Sequence, residues 1–203
     1  MPIGADLELL LQLADIDDAD PVIRWAEIFS VDRPIEIEIG IGKGRFLIDA
    51  AERRSETNFV GIEWAMKYLR LAHNRSVRKG LDNIRFVRAD AREFVEFFVP
   101  SASVQAYHIY FPDPWPKKRH HKRRLFNEGF LREVERTLMP GGQLWLATDF
   151  ADYYEVMLDV LDLSERMREV EVDWQGARTN YEEKYLAAGK PIYRRVMEID
   201  KGS

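Results

Sequence analysis

Short apolar segments alternate with longer segments of helical periodicity from about residue 35 onward. Short apolar runs between polar turns are typical of buried strands, and apolar residues that recur every three or four positions indicate helices. The pattern predicts seven strands, at residues 35–39, 58–64, 83–90, 104–111, 141–149, 168–173 and 192–199. It predicts helices at residues 44–54, 65–80, 91–98, 125–140 and 151–167.

Strands that alternate with helices predict an α/β fold with a mainly parallel sheet and helices on both of its faces. Ligands of such sheets bind beyond the carboxyl ends of the strands, where the strand order reverses. Each of the first five strands is followed by an acid or a glycine cluster. These residues are Gly40, Gly42 and Gly44 (with Glu38 just before them), Glu63, Asp90, Asp113 and Asp149. One such acid is more often a helix N-cap, but five together favour a ligand site.

The first corner, Gly40-Ile41-Gly42-Lys43-Gly44, is a glycine loop that favours a nucleoside cofactor. A dinucleotide fingerprint would have its third glycine one residue later, where this chain has Arg45. Glu38 would repel a pyrophosphate but suits a cation, which favours S-adenosylmethionine. Glu63 is placed to accept hydrogen bonds from ribose hydroxyls of either cofactor. Asp90 is placed to receive an adenine amino group, or equally to cap the next helix.

The fourth corner, FPDPW at residues 111–115, places Asp113 between two prolines that restrict the backbone on both sides. This arrangement would fix a carboxylate and the ring of Trp115 beyond the sheet edge. It is reminiscent of the corner with which amino-methyltransferases hold an exocyclic nitrogen, except that there the prolines follow the acid as a pair. A tight turn with a core tryptophan is the alternative.

Composition narrows the class of protein without choosing a function. The apolar fraction of 46% and the charged fraction of 32% are ordinary for a globular domain. The chain has no cysteine, which excludes disulfides and thiolate chemistry. No apolar run approaches the length of a membrane span, and the acidic N-terminus does not resemble a signal peptide. We therefore expect a cytoplasmic protein, with an acidic extension at residues 1–24 and a single domain at residues 25–203.

The charge is distributed unevenly along the chain. Residues 1–24 carry six acids and one base, which accounts for the whole net charge of −5. Six of the eight residues from Lys117 to Arg124 are basic. Such a run next to a candidate catalytic acid favours binding of nucleic-acid phosphates, although a solvated face or a nuclear-localisation signal would have the same composition. The neighbouring His120 and His121 would point apart, so we predict no metal site.

Taken together, these motifs resemble the bacterial tRNA (guanine-N7-)-methyltransferase family. The matching segments are EIGIGKG (38–44), GIEW (61–64), ADA (89–91), FPDPWPKKRHHKRR (111–124), ATDF (147–150) and TNYEEKYLAAGKPIYR (179–194). The resemblance covers residues 25–199, and the long segment at 111–124 is its most specific part. It implies a Rossmann-like class I methyltransferase fold, in which a seventh, antiparallel strand lies at the sheet edge.

The resemblance also implies an activity, which is methylation of guanosine N7 at position 46 of the tRNA variable loop with S-adenosylmethionine as the donor. By similarity, the cofactor residues are Glu38, Gly40, Gly42, Gly44, Glu63, Asp90 and Asp113, and Asp113 is also the catalytic acid. The substrate residues are Lys117, Asp149, Thr179, Asn180, Tyr181 and Glu182. The RNA-contacting residues are Arg119, His120, His121, Lys122, Arg123 and Arg124.

Two features depart from the family pattern. The family often has a basic or flexible N-terminal extension, and here that segment is acidic. The threonine-x-aromatic-glutamate motif commonly has phenylalanine where this chain has Tyr181. Residues Thr179 and Glu182 also have the spacing of a helix capping box.

Other functions stay open at this level. The chain could be another class I methyltransferase acting on RNA or on an amine, or a non-catalytic RNA-binding protein with the same fold. A nicotinamide oxidoreductase is disfavoured because Arg45 replaces the third glycine. We expect a monomer or a homodimer.

Overall fold

In the computed structural model, residues 10–11, 22–172, 174 and 179–200 are described. They form a single mixed sheet with helices on both faces. The strands are β1 (Leu10–Leu11), β2 (Ile35–Ile39), β3 (Asn58–Ile62), β4 (Ile84–Val87), β5 (Val104–Tyr110), β6 (Leu138–Thr148), β7 (Met167–Glu169) and β8 (Tyr193–Ile199). The helices are α1 (Trp25–Ile28), α2 (Arg45–Arg53), α3 (Met66–Lys79), α4 (Ala91–Phe97), α5 (Glu128–Thr137), α6 (Ala151–Leu161) and α7 (Asn180–Ala187), with a 3-10 helix at Lys118–Arg123.

The strand order across the sheet is β1-β4-β3-β2-β5-β6-β8-β7. The pairs from β1 to β6 are parallel, whereas β8 runs antiparallel to both β6 and β7. The chain adds strands in one direction from β2 to β4 and then returns to place β5 on the other side of β2. The strand order therefore reverses between β2 and β5, and the carboxyl ends of these two strands form the expected ligand crevice.

Alternation along β2 separates two cores. Its odd residues, Ile35, Ile37 and Ile39, pack in a large apolar cluster with side chains from α4, α5 and α6. The even residues, Glu36 and Glu38, face the side of α2 and α3, where a second apolar cluster lies. Because successive strand residues point to opposite faces, the IEIEI sequence directs both acids toward α2.

The predicted fold class is confirmed, and a strand lies at each of the seven predicted places. The strand predicted at 168–173 is shorter, Met167–Glu169, and residue 173 lies outside the described residues. The short β1 adds an eighth strand at one edge. The predicted helix at 125–140 is wrong at its C-terminal end. Helix α5 stops at Thr137, and β6 begins at the next residue, because Leu138 already pairs with Val104 of β5. A register shift then carries the chain past Gly141 and Gly142 before pairing resumes at Gln143. The predicted helix at 151–167 also ends earlier, at Leu161.

Candidate active site

A cavity of about 340 Å³ lies over the glycine loop at the carboxyl end of β2. Its lining brings together Glu38, Gly40, Gly42 and Thr179, which come from distant parts of the sequence and were all predicted as site residues. Tyr110 closes the cavity from β5. The cavity therefore occupies the crevice at which the strand order reverses.

The glycines of this loop serve two purposes. Gly42 has a φ of 51°, in the left-handed region, and an added Cβ there would meet nothing within 4 Å. The backbone at this position is therefore open to a ligand. Gly44, with a φ of 69°, is the N-cap residue of α2 and lies against α3. A Cβ at this position would come within 2.6 Å of the Ala72 side chain. This glycine allows α2 and α3 to pack closely.

Glu38 is the acid that lines this cavity, and its pKa is strongly raised. Its side chain is buried, and its Oε2 atom has no hydrogen-bond partner among the described residues. Burial raises the pKa of Glu38 to about 8. A hydrogen bond from the backbone of Leu47 lowers this pKa in part, and the nearby charge of Glu63 raises it further. A buried carboxyl oxygen without a partner is costly, and a bound cation would reduce that cost. The site therefore fits the cationic ammonium group at the amino-acid end of S-adenosylmethionine.

Glu63 shapes the glycine loop. Its Oε2 atom accepts a hydrogen bond from the backbone N–H of Gly42 at 2.9 Å, and its Oε1 atom accepts one from Ala65 at 2.8 Å. Each carboxylate oxygen has a second lone pair. Glu63 can therefore hold the loop and still accept hydrogen bonds from ribose hydroxyls.

Asp90 caps α4, as the alternative interpretation of the sequence predicted. Its Oδ1 atom accepts hydrogen bonds from the backbone N–H groups of Arg92 at 2.9 Å and Glu93 at 3.5 Å. The carboxylate is exposed at the end of β4, next to the crevice. Capping uses one oxygen, so an adenine contact through the other stays a prediction.

Asp113 lies in a constrained loop directly after β5. Both Phe111 and Trp115 have positive φ angles, 53° and 41°, which are uncommon for aromatic residues and mark a strained backbone. The N–H of Phe111 donates to the carbonyl of Ala147 at 2.7 Å, which fixes the start of the loop to β6. Asp113, which is exposed, and the half-buried Asp149 each follow this hydrogen bond by two residues, so both acids lie just beyond the carboxyl ends of neighbouring strands.

Arg124 differs from the prediction that the whole basic run contacts RNA. Its side chain is only 6% exposed. Its Nε atom donates to the carbonyl of Pro114 at 2.9 Å, and its guanidinium lies 4.8 Å above the Tyr153 ring. Its own carbonyl accepts a hydrogen bond from Arg92. Arg124 therefore anchors the Asp113 loop to α4 and α6, which is a structural role in place of the predicted surface contact.

We expect Arg124→Ala to destabilise the protein by about 2 kcal/mol, because it removes a charged hydrogen bond and the packing against Tyr153. Urea unfolding monitored by circular dichroism measures this change. The matched control is Arg123→Ala, since Arg123 is exposed in the same run. Equal stability of the two variants would contradict the anchoring role of Arg124.

The rest of the basic run lies at the surface. Lys117, Lys118, Arg119, His121, Lys122 and Arg123 are exposed, and His120 is half-buried. The 3-10 helix folds these residues around Trp115. The guanidinium of Arg123 lies 5.0 Å from the centre of the Trp115 ring, and the His120 ring packs against its edge at 5.7 Å. Exposed positive charge thus lies directly beside the loop that carries Asp113.

Helix α7 carries the predicted substrate motif. The N–H of Glu182 donates to Thr179 Oγ1 at 3.0 Å, so Thr179 caps the helix, as the alternative interpretation predicted. Glu182 is buried and pairs with Arg194 of β8, and Glu183 pairs with Arg45 at the start of α2. These contacts join α7 to β8 and to Arg45, which lines the cavity. Asn180 and Tyr181 form its first turn, and their side chains lie outside the described part of the chain.

Sequence reasoning missed a buried polar chain beside the cavity. Arg54 donates to both oxygens of Glu36, at 2.7 and 2.9 Å, and His108 Nε2 lies 2.8 Å from Glu36 Oε2. His108 Nδ1 lies 2.8 Å from the hydroxyl of Tyr110. Although burial raises the pKa of Glu36, the hydrogen bond with His108 and the charge of Arg54 lower it below its usual value. The sequence did contain a signal for this chain. Glu36 lies in a strand that is buried on both faces, and a buried acid requires hydrogen-bond or ionic partners.

Two further findings concern the described residues only. No helix among them has the length and apolar character needed to cross a membrane. Within the same residues, no group of three or more histidine or acidic side chains is arranged to hold a metal ion.

Comparisons with known proteins identify the family of the chain. The Methyltransf_4 family model, described as "Putative methyltransferase", matches residues 32–195. The chain is 38% identical over 171 residues to a tRNA (guanine-N(7)-)-methyltransferase of Rubrobacter xylanophilus, covering 84% of this chain and 72% of that protein. It is also 38% identical over 180 residues to the enzyme of the same name from Geobacillus thermodenitrificans, covering 84% and 82% of the two chains.

A solved structure extends the comparison to the fold. The crystal structure of the 16S rRNA methyltransferase KamB superposes with a TM-score of 0.63 and 13% identity, covering 91% of this chain and 94% of that one. At this identity, the likeness supports the class I methyltransferase fold alone. The two relatives at 38% identity go further and show that this chain belongs to the bacterial tRNA (guanine-N7-)-methyltransferase family.

Proposed function

We propose that this protein transfers a methyl group from S-adenosylmethionine to N7 of guanosine 46 in the variable loop of tRNA. The observation that carries the proposal is Glu38, a buried acid in the cavity over the glycine loop, one oxygen of which has no hydrogen-bond partner among the described residues. A family member with this site has a place for a cationic cofactor. The names of the relatives at 38% identity supply the substrate, tRNA, and the methylated atom, guanine N7.

The cofactor would be held by the residues of the crevice. When bound, S-adenosylmethionine supplies a methyl group that is already activated for transfer. Glu38 would hold its ammonium group, Glu63 its ribose hydroxyls and Asp90 its adenine amino group. Gly40 and Gly42 leave the loop backbone open to it.

Guanine N7 carries a lone pair and no proton, so the reaction needs no general base. The task of the protein is to orient the base and to balance the positive charge that methylation places on the guanine ring. Asp113 would face the base and stabilise that charge, or accept hydrogen bonds from N1–H and the exocyclic amine. Asp149, on the neighbouring strand, would help to orient the base, which has to leave its stack to reach these acids.

The remaining residues would bind the substrate around this centre. Lys117 and the exposed bases from Arg119 to Arg123 follow Asp113 directly, so they would hold phosphates near the target guanosine. Thr179 lines the cofactor cavity and directly precedes the first turn of α7, which contains Asn180, Tyr181 and Glu182. We assign this turn to the substrate side of the site.

We expect Lys118→Glu combined with Lys122→Glu to raise the Kd for tRNA about tenfold or more and to reduce its dependence on salt, because two phosphate contacts are lost. Filter binding at several salt concentrations measures both effects. The control, named here the distal variant, is Arg132→Glu combined with Arg166→Glu, two exposed bases away from the crevice. Unchanged salt dependence in the Lys118 and Lys122 variant would mean that the basic run is a solvated face.

The proposed function is tested by transfer of a tritiated methyl group to unmodified tRNA transcripts. One transcript has guanosine at position 46, and a matched transcript has adenosine there. Label on the first transcript only is the expected result. Equal label on both would show that the protein is a methyltransferase whose target is not position 46. No label on either, with tRNA still bound, would favour an RNA-binding protein without catalysis.

A further inference from the structure

Helix α3 carries an unusual excess of positive charge. Its fourteen residues include five lysines and arginines and no acid. The five bases are Lys67, Arg70, Arg75, Arg78 and Lys79, and all of them are exposed. At about 100° per residue, they fall within about half of the helix circumference. Helix α3 therefore presents a largely basic face, and its bases extend over about 18 Å of the helix axis.

The basic face borders a groove of about 620 Å³ between α2 and α3. The acids of the groove already have basic partners, since Asp49 pairs with Arg53 and Glu52 pairs with Lys79. Arg75 instead donates to the carbonyl of Lys43, and Arg78 to that of Asn74. A carbonyl carries no net charge, so the two guanidinium groups keep their full positive charge at the wall of the groove.

The basic face is also connected to the cofactor cavity. The hydrogen bond from Arg75 reaches Lys43, which lies in the glycine loop and lines the cavity. Arg45 lines both the groove and the cavity. The face therefore starts at the rim of the active site and extends away from it along α3.

Exposed aromatic rings accompany these bases. Trp64, which follows β3, is 67% exposed, and Tyr68 in the first turn of α3 is 39% exposed. The guanidinium of Arg88 lies 5.7 Å from the centre of the Trp64 ring. Large exposed rings among basic side chains are typical of surfaces that bind single-stranded nucleic acid, because the rings stack on bases while the cations hold phosphates.

We propose that the basic face of α3, together with Trp64, is a second RNA-binding surface that contacts the tRNA backbone. This inference rests on the proposed function, since it assigns a further contact to the same substrate. The run from Lys117 to Arg123 follows β5, whereas α3 follows β3, and β2 with its glycine loop lies between them. The two basic surfaces thus flank the crevice, and RNA held on both sides places its target base between them.

The test uses Arg70→Glu combined with Arg78→Glu, because both side chains are exposed and neither lines the cofactor cavity. We expect the Kd for unmodified tRNA to rise about tenfold or more and the slope of log Kd against log salt to fall by about 1.5. The Kd for S-adenosylhomocysteine, measured by calorimetry, should not change. The distal variant alters the total charge by the same amount and should change the Kd for tRNA less than about twofold.

Equal weakening of tRNA binding in both variants would overturn the inference, because net charge alone would then account for the effect. Unchanged tRNA binding in the Arg70 and Arg78 variant would also overturn it and would leave a solvated face or an acidic protein partner. Failure of the proposed function gives a different result, in which the unaltered protein methylates no tRNA, whether or not it binds tRNA. Trp64→Phe should keep the wild-type Kd for tRNA, and Trp64→Ala should raise it several-fold.

Discussion

Asp113→Asn is expected to lower kcat by about 100-fold to 1000-fold while the Kd values for tRNA and S-adenosylhomocysteine stay close to those of the unaltered protein. The substitution keeps the size of the side chain and removes its charge. Loss of one fixed electrostatic contact to a developing charge has an effect of this order. Single-turnover methylation, with both Kd values measured separately, distinguishes a loss of catalysis from a loss of binding.

The loop around Asp113 explains why this effect should be large. Two prolines and the strained Phe111 and Trp115 restrict the backbone on both sides of Asp113, and Arg124 anchors the loop through the carbonyl of Pro114. The matched control is Asp152→Asn, which neutralises an exposed acid in the first turn of α6. If the two variants keep the same kcat, Asp113 has no role in the chemical step.

Glu38→Gln is expected to weaken cofactor binding by at least about tenfold and to stabilise the free protein at pH 8. The folded pKa of about 8 lies above the usual value of 4.5. Folding thus favours the neutral form of Glu38. Its contribution to the free energy of unfolding is fully present below pH 4.5 and is lost as the pH rises through 8. Replacement by a neutral amide removes this loss, and we expect a gain of about 4 kcal/mol at pH 8 and little change at about pH 4.5.

The buried Glu38 also predicts that cofactor binding is coupled to the release of a proton. At about pH 6.5 Glu38 is protonated in the free protein, and a bound cation would favour its ionised form. Binding of S-adenosylhomocysteine should therefore release about one proton from the unaltered protein and none from the Glu38→Gln variant. Calorimetry in two buffers of different ionisation enthalpy measures the release.

The control for this experiment is Glu56→Gln, which removes an exposed acid in the loop before β3. This variant should release the same proton as the unaltered protein, because Glu56 lies outside the residues that line the cavity. Equal release from the unaltered protein and from Glu38→Gln would contradict the role of Glu38.

Local patterns in the sequence predicted most of the fold. The strands from β2 to β6 are short apolar runs followed by glycine or acids, and both features depend on neighbouring residues. The position of Glu38 beside the glycine loop follows from the same local pattern. The boundary between α5 and β6 was wrong because pairing of Leu138 with Val104 is a contact between distant segments. A helical period continues through Pro140 in the sequence, and only the sheet shows where it stops.

The surface and the buried charges were harder to predict for the same reason. Arg124 belongs by sequence to a uniform basic run, yet its burial depends on Pro114 and on Tyr153 of α6. Glu36 and His108 are 72 residues apart and meet only because β2 and β5 are neighbours. The basic face of α3 is interrupted in sequence by apolar residues, so it becomes visible only when the helix is formed.

The measurement that tests the central claim most directly is methyl transfer to a tRNA in which guanosine 46 is replaced by 7-deazaguanosine. This base keeps the shape, the exocyclic amine and N1–H of guanine, and it has carbon in place of N7. We predict that the modified tRNA binds with the Kd of the natural one and accepts no methyl group, because the attacking lone pair is absent. Methylation of the 7-deazaguanosine tRNA at the rate of the guanosine tRNA would contradict the account.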